Sequence, residues 1–440
     1  MGEWYNILTR RSGFVGFLVI LSILAPGIAG AEQAISDRLD LSFNEPNGYA
    51  LWQTPDASQD RSLEMAIQPD GKIVLGGYTN DTTSKNIQIL RYLPNGTPDI
   101  SFGVQGSVIH AGDAGKDEYA FGLTLDPEGK ILIAGREHNG HDSDMLVLRG
   151  NPNGTPDISF GENGRVIYAG TGKGTDSARG IVLQKDGKIV VTGEMNMSTH
   201  KEMVVLRYNP DGTLDPDYGT SGVFSLNTRE NKDSYGFGVA LDEEERAIIT
   251  GGASPDGKEG LAVVRVLGNG TLDKTFGIDG VAIYHGEKGG PDYGNWVSIQ
   301  PDGKILVTGV ETDATGSFDI VVLRYNPDGT ADTTFGNAGV VRYQGTGYDY
   351  AWGQTYMNDG SILIAGTSNL NGLDTPVLIR YTADGTPDET FGEHGIVSYE
   401  TIGIGPLYAV KKDAHGNILA SGYITEDGTD ISLLLKVAGK

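Results

Sequence analysis

The chain has 440 residues, 66 of them glycine and none cysteine, and a net charge of −25 from 33 basic and 58 acidic side chains. Glycine stands at about twice its usual share of roughly 7%, while 38% hydrophobic content is enough for a core, which argues against disorder, collagen, a disulfide scaffold and thiolate metal sites. So much negative charge repels phosphate backbones and anionic lipid surfaces, setting nucleic-acid partners aside.

In chain order, Arg10 and Arg11 precede an apolar run from Phe14 to Leu24, then Pro26 and the small-residue site Ala29-Gly30-Ala31. Residues 1–31 read as a secretory signal peptide, its apolar run shorter than the roughly 18–20 residues that span a bilayer. No cysteine offers a lipid attachment site, so the expectation is a secreted or periplasmic chain with no membrane contact after signal cleavage.

Residues 32–440 read as one domain built on a repeat of about 58 residues. A glycine closes a strand-like Lys-Ile-x-Val-x-Gly pattern at Gly77, Gly135, Gly193, Gly251, Gly309, Gly366 and Gly422. Before each lies a turn such as Asp70-Gly71, Glu128-Gly129 or Asp302-Gly303; only the fourth copy, Glu243-Glu244-Glu245, lacks the glycine. Asp-Gly between apolar runs predicts hairpins with primed turns. A second series follows, Arg91, Arg149, Arg207, Arg265, Arg324 and Arg380, each with an aspartate eight residues on, from Asp99 to Asp388. A bidentate guanidinium–carboxylate pair would lock the turn between them. An aromatic-glycine pair such as Phe160-Gly161 ends the unit. In the second copy the strands are expected at 119–125, 130–134, 144–149 and 165–168. Four short strands repeated seven times predict an all-β, seven-bladed β-propeller with four-stranded blades. The seventh copy stops at Lys440 without its last strand, and the missing parts stand at Leu39-Asp40-Leu41-Ser42-Phe43 and 48–52. The N-terminal strand is therefore expected to complete the last blade and close the ring of a monomeric propeller.

The motifs Asp302 to Gly309 and Leu323 to Gly339, with their counterparts over about 400 residues, resemble the bacterial delta-60 repeat family and, more distantly, NHL-type propellers. The resemblance implies a secreted or surface-associated bacterial propeller and carries no catalytic residue to transfer.

Candidate sites follow from what stands beside the repeat. Asp60, Asp117, Asp176, Asp233, Asp292 and Asp349 lie eleven or twelve residues ahead of the turn glycine position, just before the expected inner strand. Gathered at one mouth of an axial channel, they would hold a divalent cation such as calcium; singly, each would cap its own loop. The Asp-Gly-Thr-x-Asp turns also suggest calcium but lack a closing acidic ligand. His138, His141, Met195, Met197 and His200 lie in two neighbouring loops, and imidazole with thioether ligands would suit copper. Tyr119, Tyr235, Tyr293, Tyr350, Trp296 and Trp352 could stack on sugar rings or pack between blades. The loops entering the first and third strands vary in length and content, which marks their face as the functional one. With no nucleophile motif, zinc-protease motif or phosphate loop, the expected function is a binding or scaffold module for a protein or glycan partner. The alternative is a divalent-metal-dependent enzyme, a hydrolase or lyase, working at the aspartate cluster.

Overall fold

The structure is a computed structural model that describes residues 38–437 apart from 82, 113–114, 227–231, 346 and 371. The signal segment 1–31 and Lys440 lie outside the described residues. Among the described residues regular structure is β-strand alone, and no helix is long and apolar enough to cross a membrane.

The second repeat shows how the sequence makes each unit. Its strands Glu118–Leu125, Ile131–His138, Ser143–Gly150 and Arg165–Tyr168 form an antiparallel meander. The second strand runs four residues past the expected end, because pairing continues through Gly135 to His138 opposite Ser143. Ile131 to Gly135 is wholly buried, which is why the stretch reads as a continuous apolar run without period-two alternation. The turn before it departs from a primed hairpin: Gly129 alone takes a positive φ, 79°. Asp126 shapes that loop instead, its carboxylate accepting the backbone N–H of Glu128 at 2.9 Å and of Lys130 at 2.8 Å.

Five such four-stranded sheets follow one another along the chain, and the remaining strands join in one eight-stranded sheet. Within it Tyr49–Trp52 pairs antiparallel with Thr429–Val437. A single parallel step, Gln59 opposite Asp430, links that group to the sheet containing Gln59–Ile67. Hydrophobic layers lie between successive sheets, as where Leu132, Met145 and Phe160 meet Ile181, Ile189 and Leu206. Leu419 and Leu434 from near the C-terminal end meet Met65, Leu75 and Leu90 in the same way. The sheets are thus arranged like blades.

The arginine–aspartate series ties these blades at one end. Arg149 Nε reaches Asp157 at 2.8 Å while its Nη1 crosses to the carbonyl of Pro210 in the next unit at 2.5 Å. Arg207 repeats this with Asp215 and Gly268, and Arg324 with Asp332 and Ala383. The pair is therefore not bidentate as expected; the second guanidinium edge is used to bridge units. The other oxygen of Asp157 accepts from the backbone and hydroxyl of Ser159, and Lys130 from the preceding turn adds a contact at 3.1 Å. The Phe160 ring lies 4.6 Å from the guanidinium carbon.

Candidate functional site

The first strands, Gln59–Ile67, Glu118–Leu125, Ser177–Leu183, Tyr235–Leu241, Tyr293–Ile299, Tyr350–Tyr356 and Leu407–Lys412, pack each against the next, and the last packs against the first of them. Every one carries a one-residue register shift against its second strand. The glycine that closes the second strand explains where the bulge falls. At Gly135 a Cβ would land on the carbonyl oxygen of Tyr119, and the corresponding glycines face the same carbonyl in their own units. Without a side chain there, the first strand can press inward and throw one extra residue off the ladder.

The extra residues are Leu63, Phe121, Arg179, Phe237, Asn295, Trp352 and Tyr408, and all of them line one cavity of about 600 Å³. Flat aromatic ledges run down its wall. Tyr119 stacks on Phe121 at 5.8 Å with an interplanar angle of 6°, Tyr235 on Phe237 at 6.1 Å, and Tyr350 on Trp352 at 5.6 Å with 10°. Trp352 then meets Tyr408 at 5.0 Å. The charged lining is mostly cationic: Arg61, Arg136, Arg179 and Lys411 against Glu64. Arg179 lies 4.3 Å from the centre of the Phe121 ring and is held by Glu194 at 2.9 Å. Deeper in, Lys411 lies 4.4 Å over the Trp296 ring and 3.2 Å from Glu64. Burial pushes the Glu64 carboxyl up, against the pull of that lysine.

The six aspartates are placed otherwise than as a channel cluster. Asp60, Asp176, Asp292 and Asp349 are buried at one position of the repeat. Each caps its entry loop: Asp176 accepts from the backbone N–H of Gly170 at 2.8 Å and of Asn196 at 2.7 Å, and Asp292 from Gly286 and Thr312 at 2.6 and 2.9 Å. Thr54 satisfies Asp60, and Gly345 with Ser368 satisfies Asp349. Burial pushes the Asp176 and Asp292 carboxyls up. Asp117 and Asp233 belong to a different position. They are exposed, one residue out of register, and Glu118 and Ser234 fill the buried place instead. Asp117 and Asp233 reach across to the neighbouring unit, accepting the backbone N–H of Lys85 and of Lys201. None of the six lines the cavity.

The histidine and methionine side chains have partners of other kinds. Met195 and Met197 pack in a hydrophobic layer, His138 accepts the N–H of Gly140, and His200 contacts Glu202 at 3.0 Å. Among the described residues no three histidine, aspartate or glutamate side chains are grouped to hold a metal ion. Of the aromatic candidates, Tyr119, Trp296 and Trp352 line the cavity, while Tyr235, Tyr293 and Tyr350 back up its ledges. Of the bulge residues only Trp352 stands out in the sequence; the others, with Arg136 and Lys411, escape a reading that follows what repeats, because the bulge position holds a different residue in most units.

Blade-like four-stranded sheets in series, with inner strands packed around a cavity, are the build of a β-propeller. A family model described as "Domain of unknown function (DUF5122) beta-propeller" matches residues 68–102, 127–160, 184–218, 300–335 and 358–391, and the chain is a β-propeller repeat protein. No curated protein matches it. Solved structures similar to it include a protein of unknown function from Dyadobacter fermentans DSM 18053, 11% identical over 72% of this chain and 93% of that one, with a TM-score of 0.45. The polysaccharide lyase Uly1 is 9% identical over 88% and 91%, TM-score 0.48. Sqt1 from Chaetomium thermophilum is 11% identical over 88% and 100%, TM-score 0.46.

Proposed function

We propose that this chain is an exported, seven-bladed propeller of the delta-60 repeat type that acts as a binding module, holding a glycan partner in the mouth of its central channel. The observation that carries this reading is the bulge. One backbone device delivers a side chain from each first strand into the same cavity, and those side chains are mainly aromatic and differ between units, as a recognition surface requires and a structural repeat does not. Coplanar ring pairs such as Tyr350 and Trp352 offer broad flat faces to the C–H faces of pyranose rings. A metal-dependent enzyme at the aspartates gains no comparable support, since four of those carboxylates are spent on loop capping.

Support for the count of seven and for closure comes from the pairing of Tyr49–Trp52 with Thr429–Val437 and from the hydrophobic layer that the last strands share with the first unit. Export predicts a mature chain beginning at Glu32, readable by N-terminal sequencing of the secreted product.

The test is binding of the mature protein to an immobilised glycan panel, followed by titration of any hit. Saturable binding should weaken roughly tenfold or more in Trp352→Ala, the loss of one stacked anchor, in a variant that still unfolds cooperatively above the assay temperature. A panel without any retained glycan, or a hit indifferent to Trp352, would overturn the assignment.

A further inference from the structure

The channel carries a charge pattern opposite to that of the molecule. In a chain of net −25, four cationic side chains in the cavity face one carboxylate. Three of the cations are already matched: Arg61 by Asp430 at 2.6 Å, Arg179 by Glu194 at 2.9 Å and Lys411 by Glu64 at 3.2 Å. Arg136 is different. No carboxylate pairs with it among the described residues. Its guanidinium carbon rests 4.5 Å from the Tyr119 ring centre and 5.6 Å from that of Phe121, and its Nε is buried without a hydrogen-bond partner.

The neighbours deepen the contrast. Arg136 follows Gly135 on the second strand, and the same position in the next unit is Glu194, the residue that neutralises Arg179. The Tyr119 hydroxyl is itself engaged, accepting from the Lys85 ammonium at 3.1 Å and donating to Asp117 at 3.4 Å. A buried N–H without a partner, as at the Nε of Arg136, is costly until an acceptor meets it. The planar fork of a guanidinium matches a carboxylate two bonds at a time. The cavity it faces, about 600 Å³ and lined also by Trp296, Trp352 and Tyr408, has room for a ring and not only for a lone ion.

We propose that the glycan held in this channel is acidic: a uronate-bearing oligosaccharide whose carboxylate lies against Arg136 while its sugar rings lie along the aromatic ledges. This inference rests on the glycan-binding reading above. A neutral sugar would leave the Arg136 donors as they are, whereas a uronate supplies the missing partner and keeps the same stacking.

The test uses the mature protein and three probes, the trimer of galacturonic acid, the trimer of galactose and benzoate, followed by calorimetry or by tryptophan fluorescence. The acidic trimer should bind at least tenfold more tightly than the neutral one and lose affinity as salt is raised. Arg136→Gln should erase that preference, and Arg136→Lys, which keeps the charge without the fork, should retain part of it. Equal affinity for the two trimers, or a preference that survives in Arg136→Gln, would overturn the acidic assignment and leave the glycan reading standing. Binding of neither trimer would overturn the acidic assignment, with the glycan panel deciding the wider reading, and benzoate displacing the acidic trimer at lower concentration would overturn the sugar in favour of an aromatic acid. Since the comparison of the two trimers needs only the unmodified protein, a variant that failed to fold would not protect the proposal.

Discussion

The two ends of a blade solve different problems with the same repeat. At the clamp end, Arg149, Arg207 and Arg324 make the same two contacts, one to their own aspartate and one to a carbonyl of the next unit. At the channel, the backbone is just as constant, a bulge facing a glycine, but the side chain delivered changes from Leu63 to Phe121 to Arg179. Identity is held where one interface after another uses the same bridge, Arg380 alone of the six arginines turning instead to Ser361 and Asp359, and released where the scaffold offers surface. The family model follows this division: its five matches run from the turn through the clamp to the aromatic residue, and none includes a bulge residue. Belonging to the repeat therefore says how the blades are joined and nothing about what the channel holds.

The largest expected effect tests whether that division is real. Asp215→Ala strands Arg207 and Lys188, both of which contact the Asp215 carboxylate at 2.7–2.8 Å, and should cost about 3–5 kcal/mol, the usual range for orphaning a buried charge. Trp352→Ala, in the partly open channel, should cost well under half of that. Denaturant midpoints for the two variants decide it, and equal losses would erase the distinction between clamp and channel.

Acid and base should also strain the two ends differently. Burial works to raise the Asp157 carboxyl, but the Ser159 hydroxyl, Lys130 and Arg149 together hold it well below the usual range; Asp332 behaves alike through Lys304 and Thr334. Their contribution is complete above the unfolded carboxyl range near about pH 4 and is lost as pH falls toward the depressed values. On the loop face Asp319 has the opposite sign. Burial first, then the charges of Asp313, Asp349 and Glu311, push it up to about 6. Its favourable protonated state is fully populated below about pH 4 and is lost as pH rises through 6. Asp319→Asn should therefore melt higher than the parent at pH 7.5 and level with it near pH 4. A gap of the same size at both values would show that its charge is not the cause.

The clamp was legible in the sequence because it recurs: the eight-residue step from arginine to aspartate survives intact from Arg91 to Arg380. Its bridging contact was not, since the partner of Arg149 is Pro210, on another unit, and no local pattern points that far. The channel was hidden for a related reason. Its lining comes from separate strands and changes residue at equivalent positions, so a search for repeats catches Tyr119, Trp296 and Trp352 as aromatics near strand starts but passes over most of the rest. The aspartates show the cost of counting by identity alone. Asp117 and Asp233 stand twelve residues before the turn glycine position where the others stand eleven, and a one-residue slip moves a side chain to the other side of the strand. That step was a visible sign that Glu118 and Ser234 occupy the buried place.

The smallest effect lies where the clamp end departs from its own rule. Six turns place glycine at φ values near those of Gly187, 85°, and Gly303, 81°, but the fourth unit holds Glu245 there at 62°. A left-handed residue with a side chain costs about 1–2 kcal/mol, while glycine returns roughly half of that through the freedom of the unfolded chain. Glu245 also accepts the backbone N–H of Lys185 at 3.0 Å and meets its ammonium at 3.3 Å, a bridge to the preceding unit. That ammonium is largely exposed, so its share is small. Glu245→Gly should accordingly gain no more than about 1 kcal/mol, and Glu245→Ala, which keeps the strain and drops the bridge, should lose a few tenths. If both variants lost stability equally, the carboxylate bridge would outweigh the backbone. The fourth unit would then have exchanged the common turn for another way of joining blades, and the clamp end would vary as the channel does.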